Sequence, residues 1–264
     1  MTTILGILNI TDDSFFDGGK YLDPDAAIAQ ARALMAQGAD VLDVGAASSN
    51  PNSRGVEPEV EVARLAAVLP ALEGMPLSID TFSLPVQRWA LAQGVGYLND
   101  IEGFADPALY PELAAARSKL IVMHSVQQRG PATRVDVPAG EIMDRVTRFF
   151  DTRVAALEKA GVARERLILD PGMGFFLGSD PQASFTVLRG LGALKARYGL
   201  PLLVSVSRKS FLRRITGKSA AEAGAASLAA ELFAVQHGAD YIRTHAPGSI
   251  RDALLTQRAL AAAP

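Results

Sequence analysis

The chain has 264 residues, 49% apolar and 20% charged, which is enough apolar surface for a sizeable core and argues against intrinsic disorder. A formal net charge of −2 gives no electrostatic ground for a nucleic-acid or acidic-membrane partner. With no cysteine, disulfides, thiolate chemistry and thiolate-bound metals are excluded, and a reducing cytoplasm is the expected location.

The first ten residues lack the basic region and small-residue cleavage site of a secretory signal. No apolar run approaches the roughly 18 residues that span a bilayer, so no membrane partner is expected. The first run, Ile4–Leu8, reads as a strand ending at Asn9, and a helix follows over Pro24–Gln37, stopped by Gly38. Val41–Val44, carrying Asp43, is the second strand, and Glu57–Leu72 the next helix. Leu77–Ile79 runs into Asp80; Leu84–Gln93 is a helix stopped by Gly94; Val95–Leu98 runs into Asn99 and Asp100. Leu120–Met123 ends at His124, and the helix Ala139–Ala160 stops at Gly161. Leu167–Leu169 ends at Asp170, and Leu202–Val206, entered after Gly199, ends at Ser207-Arg208-Lys209. The helix Ala220–Gln236 stops at Gly238, and Tyr241–Ile242 ends at Arg243 and His245.

Most of these runs are apolar on both faces, as parallel strands covered by helices must be. Eight strands in 264 residues give about 33 residues per unit, the size of a βα repeat in a closed (β/α)8 TIM barrel. That reading is preferred to an open doubly wound sheet, and one domain over residues 1–264 is expected because no linker or low-complexity block divides the chain. Polar residues collect at the strand ends, which a TIM barrel gathers on its active face.

The loop from Asn9 to Gly19 sets two phenylalanines among turn formers, a composition suited to a lid that closes over substrate. Arg243 and His245 lie two apart on a strand, face one side, and can act together on an anion. His237 reads as a C-terminal helix residue, and Met123 as packing against a flat ring. Arg213 and Arg214 suit a solvated helix face or an anion site. Gly172-Met173-Gly174 is too short for a dinucleotide fingerprint, and neither a phosphate-binding P-loop nor a zinc-protease motif occurs.

The first loop, Asn9-Ile-Thr-Asp-Asp-Ser-Phe-Phe-Asp-Gly-Gly19, resembles that of the dihydropteroate synthase family, close to N-V-T-P-D-S-F-S-D-G-G. The resemblance continues in order through Ser78-Ile-Asp-Thr81, Asn99-Asp-Ile101, Val122-Met-His124, Asp170-Pro-Gly172, Ser207-Arg-Lys-Ser210 and Arg243-Thr-His245. It implies a pterin-binding TIM barrel that condenses 6-hydroxymethyl-7,8-dihydropterin diphosphate with p-aminobenzoate, giving 7,8-dihydropteroate and diphosphate. It implies that Asp80, Asn99, Asp170 and Lys209 hold the pterin beside Met123. Asp170 would accept from the donor edge, while Lys209 and Asn99 donate. It implies that Asn9, Arg243 and His245 hold the diphosphate and its Mg²⁺, with Asn9 as the protein's metal ligand. Catalysis would fall to Asp17, Lys209, Arg243 and His245, Asp17 steadying a pterin cation from the first loop. Phe15, Ser49, Pro51, Phe175, Phe176, Gly178 and Ser210 would surround p-aminobenzoate. A homodimer through late helices is implied, with Ala225–Gln236 able to contribute an apolar face.

The sequence departs from the family in two places. The second loop, usually close to G-G-E-S-T-R-P-G, here reads Gly45-Ala-Ala-Ser-Ser-Asn-Pro-Asn52, which replaces its Glu and Arg by Ala47 and Asn50; Arg54 is a candidate substitute. After Asp170 the chain is about two residues longer, with Phe175–Gly178 at the addition. Both features resemble the mobile sulfonamide-resistance members of the family and their chromosomal relatives. They imply a narrowed p-aminobenzoate site that overlaps a sulfonamide and still admits the carboxylate. Two rivals share the pterin-edge residues: a methyltetrahydrofolate-binding methyl-transfer barrel, which needs no diphosphate clamp, and a silent pterin-binding protein, which the altered second loop favours.

Overall fold

The computed structural model describes residues 2–11, 23–49, 55–127 and 129–262. Eight parallel strands run β1 (Thr3–Asn9), β2 (Val41–Gly45), β3 (Leu77–Asp80), β4 (Tyr97–Asp100), β5 (Lys119–Met123), β6 (Leu167–Asp170), β7 (Leu203–Val204) and β8 (Tyr241–Thr244). Their order is β6-β5-β4-β3-β2-β1-β8-β7. A single bridge between Leu169 and Leu202, with the Leu169 amide donating to Pro201 O at 2.9 Å, joins the two ends into a nearly closed barrel. The expected eightfold barrel is the observed one.

Helices cover the outside: α1 (Pro24–Ala36), α2 (Pro58–Val68), α3 (Leu84–Ala92), α4 (Tyr110–Ala115), α5 (Ile142–Lys159), α6 (Pro181–Tyr198), α7 (Ser210–Thr216), α8 (Gly224–Gln236) and α9 (Pro247–Ala261). Proline occupies the first turn of α1, α2, α3, α6 and α9, where its missing N–H costs nothing. The predicted helix over Glu57–Leu72 divides, and its last four residues form a 3₁₀ turn around Pro70, which cannot donate within an α-helix. His237 caps α8 as expected.

Two strands differ from the sequence reading. β4 begins at Tyr97 instead of Val95, because Val95 is used by the preceding helix end, where it is buried behind the left-handed Gly94 (φ 69°). β7 keeps only two residues; beyond it the chain leaves the ladder for a turn in which Lys209 N–H donates to Val206 O at 3.2 Å.

A tripeptide repeats where helix meets strand. Gly38-Ala39-Asp40 precedes β2 and Gly238-Ala239-Asp240 precedes β8, with glycine φ values of 101° and 104°. Each alanine amide returns to its helix, to Leu34 O at 3.1 Å and Ala234 O at 3.0 Å. Each aspartate then accepts a backbone amide from the neighbouring strand segment: Ile4 N–H to Asp40 Oδ2 and Leu202 N–H to Asp240 Oδ2, both at 2.8 Å. Arg251 and Lys195 hold these two carboxylates in place.

Inside the barrel the layers are set by the two-residue period of the strands. Leu5, Val41, Ile121, Ile168, Leu203 and Tyr241, with Tyr97 against them, form an apolar plug at the end where the strands enter. Two residues further along the same strands come Ile7, Asp43, Met123, Asp170, Ser205, Arg243 and Asn99. The chemistry therefore rests on a packed floor.

The Asp240→Ala substitution should lower stability by about 1–2 kcal/mol, chiefly by leaving the Leu202 amide without its acceptor. The ion pair adds little, since both side chains are over a third exposed (36% and 38%). Urea denaturation checks this, with the midpoint falling and the slope unchanged.

Candidate active site

The layer above the plug is organised around one guanidinium. Arg243 Nε donates to Asp43 Oδ2 at 2.5 Å, and Nη2 donates to Asp80 Oδ2 at 2.6 Å. The Asp43 side chain is fully buried, Arg243 13% exposed and Asp80 20% exposed, so the pair with Asp80 forms the visible part of the floor. Asn99 turns its Nδ2 to Asp43 Oδ1 at 3.5 Å, and its Oδ1 is buried without a partner among the described residues. Asn99 thus has its Oδ1 free as an acceptor beside the slot, while Asp43 takes one of its two amide hydrogens. Asp170 accepts from Gly172 N–H at 2.8 Å, which fixes the carboxylate across the barrel from Asp80.

Lys209 reaches this layer from the loop after β7. Arg208 occupies the left-handed region (φ 60°), and its N–H donates to Ser227 Oγ at 2.8 Å. Such a backbone costs a non-glycine residue on the order of 1–3 kcal/mol and persists only where its surroundings enforce it. Here it turns Lys209 inward, with Nζ 5.1 Å from the centre of the Phe176 ring. Gly174 (φ 67°) makes room, since a Cβ there would lie 3.3 Å from Ser210 Oγ and 3.5 Å from the Lys209 side chain.

A cleft of about 270 Å³ opens above, lined by Asn9, Ser49, Asp80, Phe175, Phe176, Lys209, Ser210, Arg243 and His245, together with Arg134, Ser205, Ser207, Arg208 and Arg213. A narrower slot continues it past Asp80, Lys209 and Arg243 to Asn99, Met123 and Asp170. All the predicted site residues that are described, save one, meet in this pair of cavities. Gly178 lies instead on an adjoining outer cleft with Phe175, Ser210, Arg213 and Arg214. Its neighbour Ser179 is tied by N–H to Val135 O at 2.8 Å. Phe15, Asp17 and Pro51, with Asn50 and Arg54, lie outside the described residues.

Electrostatics follow from burial. Asp80 is pushed up to about 6 by desolvation, against Arg243 and with the like charge of Asp43. Asp170 rises to about 6 for the same first cause, opposed by the Gly172 amide and Lys209. Lys209 falls to about 8 through desolvation and then Arg243, with Asp170 and Asp80 pulling the other way. Desolvation, followed by Arg208, Arg243 and Lys209, holds His245 well below the usual imidazole range, so the ring is neutral. Ser207 Oγ takes the His245 amide at 3.2 Å and lies 3.1 Å from Nδ1. With that hydroxyl turned to Nδ1, the ring proton sits on Nε2 as a donor.

Two strand-end residues serve the scaffold instead. Asp100 accepts from Glu102 N–H at 2.8 Å and Phe104 N–H at 2.7 Å, closing the turn after β4. His124 Nδ1 lies 3.0 Å from Pro171 O, and desolvation lowers its pKa to about 4. The sequence reading missed other residues. Asp43 was named as a strand-end group without a role; the two-residue step from buried Val41 was the signal for it. Arg134 reaches the cleft from the long β5–α5 connection, its guanidinium 5.8 Å from the centre of the Phe175 ring, and no motif marks it. Among the described residues no group of three or more His, Asp or Glu could hold a metal by itself.

The family model described as "Pterin binding enzyme" matches residues 5–245. The Escherichia coli protein named dihydropteroate synthase type-2 is 58% identical over 259 residues, 97% of this chain and 95% of that one. A Xanthomonas albilineans dihydropteroate synthase solved with 4-aminobenzoic acid superposes with a TM-score of 0.87 at 34% identity, covering 100% of this chain and 94% of that one. One from Coxiella burnetii solved with pteroic acid gives a TM-score of 0.88 at 28% identity, covering 99% and 94%.

The pKa directions set a working window. Below about 6 Asp80 and Asp170 take up protons, and above about 8 Lys209 loses one. A pH series of kcat/KM for the ring-bearing substrate should therefore rise through about 6 and fall through about 8. A profile flat across both limits would separate these groups from turnover.

Proposed function

The chain belongs to the pterin-binding enzyme family and is a dihydropteroate synthase, and from that premise we propose how its residues divide the work. The substrates are a dihydropterin diphosphate and p-aminobenzoate. The C9–O bond to diphosphate breaks, the C9–N bond to the amine forms, and the amine gives up a proton. Charge develops on the pterin and on the leaving group, so the protein's share is positional and electrostatic.

The slot of Asp80, Asn99, Asp170 and Lys209 carries the reading. Asn99 Oδ1 is buried with its acceptor capacity unspent, beside two carboxylates and one ammonium. A pterin edge supplies N–H groups for the acceptors and ring N or oxo groups for Lys209, and Met123, Met173 and Phe176 offer apolar faces to the ring. Toward the mouth, His245 and the Arg243 Nη1 nitrogen, which has no partner among the described residues, stand where the diphosphate would lie. Ser210 and Arg213, which with Phe175 line both this cleft and the adjoining outer one, suit the p-aminobenzoate carboxylate.

Asn9 fits Mg²⁺ as a single hard-oxygen ligand at the cleft, since this ion takes few protein ligands and completes its six with phosphate oxygens and water. The chemistry of the donor supports the fit: Asn9 carries a neutral amide oxygen, a hard ligand, on the wall that also holds Arg243 and His245. When bound, the ion neutralises charge on the diphosphate.

Reduced sulfonamide sensitivity is the finer part of the proposal. The lengthened segment is not a surface insertion: Phe176 is 6% exposed and Leu177 0%. Phe176 packs on Ile101, Met123 and Ala132, and Phe175 stands in the wall beneath Arg134. A rigid wall can reject the bulkier tetrahedral sulfonyl and accept a planar carboxylate. A homodimer is supported by α8, whose outer face shows exposed Ala225 and Ala229 beside half-buried Leu228 and Leu232; a sedimentation mass of one chain would remove it. A cytoplasmic location is supported by the absence of cysteine, and no helix among the described residues is long and apolar enough to cross a membrane; fractionation of the native host checks it.

Purified protein with dihydropterin diphosphate, p-aminobenzoate and Mg²⁺ should release diphosphate, and Asp170→Asn should lower kcat/KM about 100-fold or more by replacing an acceptor with a donor. No release by the parent would overturn the reading. Release should persist at sulfonamide concentrations that stop a variant two residues shorter across 175–178, or Phe175→Ala. Equal inhibition of parent and active variants would remove the wall.

A further inference from the structure

Two carboxylates outside the cleft have no part in the chemistry described above. Glu61 on α2 and Glu231 on α8 are each 2% exposed, and in both Oε1 is buried without a partner among the described residues. A leucine or methionine would fill a helix–barrel position at less cost, since a buried carboxylate with half its acceptors unspent is unfavourable. Two helices nonetheless keep one each.

Their placement is matched. Glu61 is hydrogen-bonded to Thr81, with the charges of Asp80 and Arg64 nearby, and Glu231 is hydrogen-bonded to Thr244, with Arg208 nearby; both threonines are buried, at 3% and 0%. Thr81 follows Asp80 and Thr244 follows Arg243, the two members of the ion pair in the cleft floor. Strand alternation sends Asp80 and Arg243 inward and the threonines outward toward the helices. In the sheet β3 and β8 are separated by β1 and β2, so the two carboxylates stand behind the ion pair at two separate places.

Each threonine is a junction. Thr81 N–H donates to Asn99 O at 3.0 Å, and its carbonyl accepts from Gln87 Nε2 at 3.1 Å. Thr244 Oγ1 accepts from Ala246 N–H at 3.2 Å at the start of α9. One turn before Glu231, Ser227 Oγ accepts the Arg208 amide, so the same face of α8 holds the loop that delivers Lys209. Burial pushes both glutamates up to about 7, with the threonine hydroxyl acting against it in each case.

We propose that Glu61 and Glu231 are positioning residues for the synthase reaction: through Thr81 and Thr244 they fix the Asp80–Arg243 ion pair in the orientation that receives the pterin diphosphate. This rests on the function proposed above and adds to it two residues that never touch substrate. They act on one ion pair from separate helices, so their effects are coupled although the side chains do not meet.

Glu61→Gln and Glu231→Gln keep shape and replace the carboxyl with an amide that cannot ionise. Each should lower kcat/KM for pterin diphosphate about tenfold and leave KM for p-aminobenzoate within about twofold. The double variant should lose far less than the product of the two single losses, as expected for two routes to one ion pair. Thr81→Val and Thr244→Val should reproduce the same split between substrates, which keeps the test decisive if a glutamine variant fails to fold. Multiplicative losses, equal effects on both substrates, or singles within twofold of the parent would overturn the proposal. In all three cases parent turnover would leave the synthase reading standing, whereas an inactive parent would remove that reading first.

Discussion

Everything in the cleft depends on Arg243 being held between Asp43 and Asp80. Three charged groups in a barrel interior are expensive to desolvate, and attraction repays that cost only when geometry is good and remaining acceptors are used. Both conditions are met: two guanidinium nitrogens are spent on two carboxylates at 2.5 and 2.6 Å, and Asn99 takes the second oxygen of Asp43. Losing either carboxylate would leave the cation part-paired and the other acid displaced. The pair is better understood as fixing a geometry than as adding stability, because well-packed apolar residues could stabilise the same layer more cheaply.

The strand period explains why this cluster can exist. Below it, Leu5, Val41, Ile121, Ile168, Leu203 and Tyr241 exclude water from the barrel and give the polar layer a rigid support. Above it, the loops supply what strands cannot. Lys209 enters on a left-handed turn at Arg208, and Phe176 packs over the slot from a 3₁₀ turn beginning at Gly174. Each imported side chain is secured elsewhere: Arg208 by Ser227 of α8, and Phe176 by its carbonyl accepting Val126 N–H at 3.0 Å.

How much was legible in the sequence follows from the same division. Strand-borne residues were readable, because a buried apolar run fixes direction and a polar residue at its end must face the open side of a barrel. Asp80, Asn99, Asp170, Arg243 and His245 stand out in that way and all line the cleft or its slot, and the observed eight strands agree with the expected ones to within two or three residues. What failed was local. Val95 looked like strand and is the apolar residue behind a helix-ending glycine; the long seventh run shortened because its polar end had to turn Lys209 inward. The rotation of the Asn99 amide could not be read, since it depends on Asp43, which is 56 residues away in the chain. Arg134 was invisible for a related reason, since a loop arginine has no period and only the fold brings it over Phe175.

The placement of buried charge separates what holds the barrel together from what it does. Asp40 and Asp240, at the entry end, are partly exposed, each accepts a strand amide, and each is held by a basic side chain from a helix. Their chemistry is complete within the fold. At the opposite end the buried polar atoms are incomplete: Asn99 Oδ1 and Ser205 Oγ line the slot without partners, and Glu61 and Glu231 stand behind it with one oxygen each unspent. Buried polar atoms without a protein partner at the lip of a cleft are the groups that water or a ligand completes. Asn99 Oδ1 and Ser205 Oγ stand at the strands' exit, where the cleft opens, and Asp43, which takes Arg243 and the Asn99 amide, is as much a part of that layer as the residues that face the cleft.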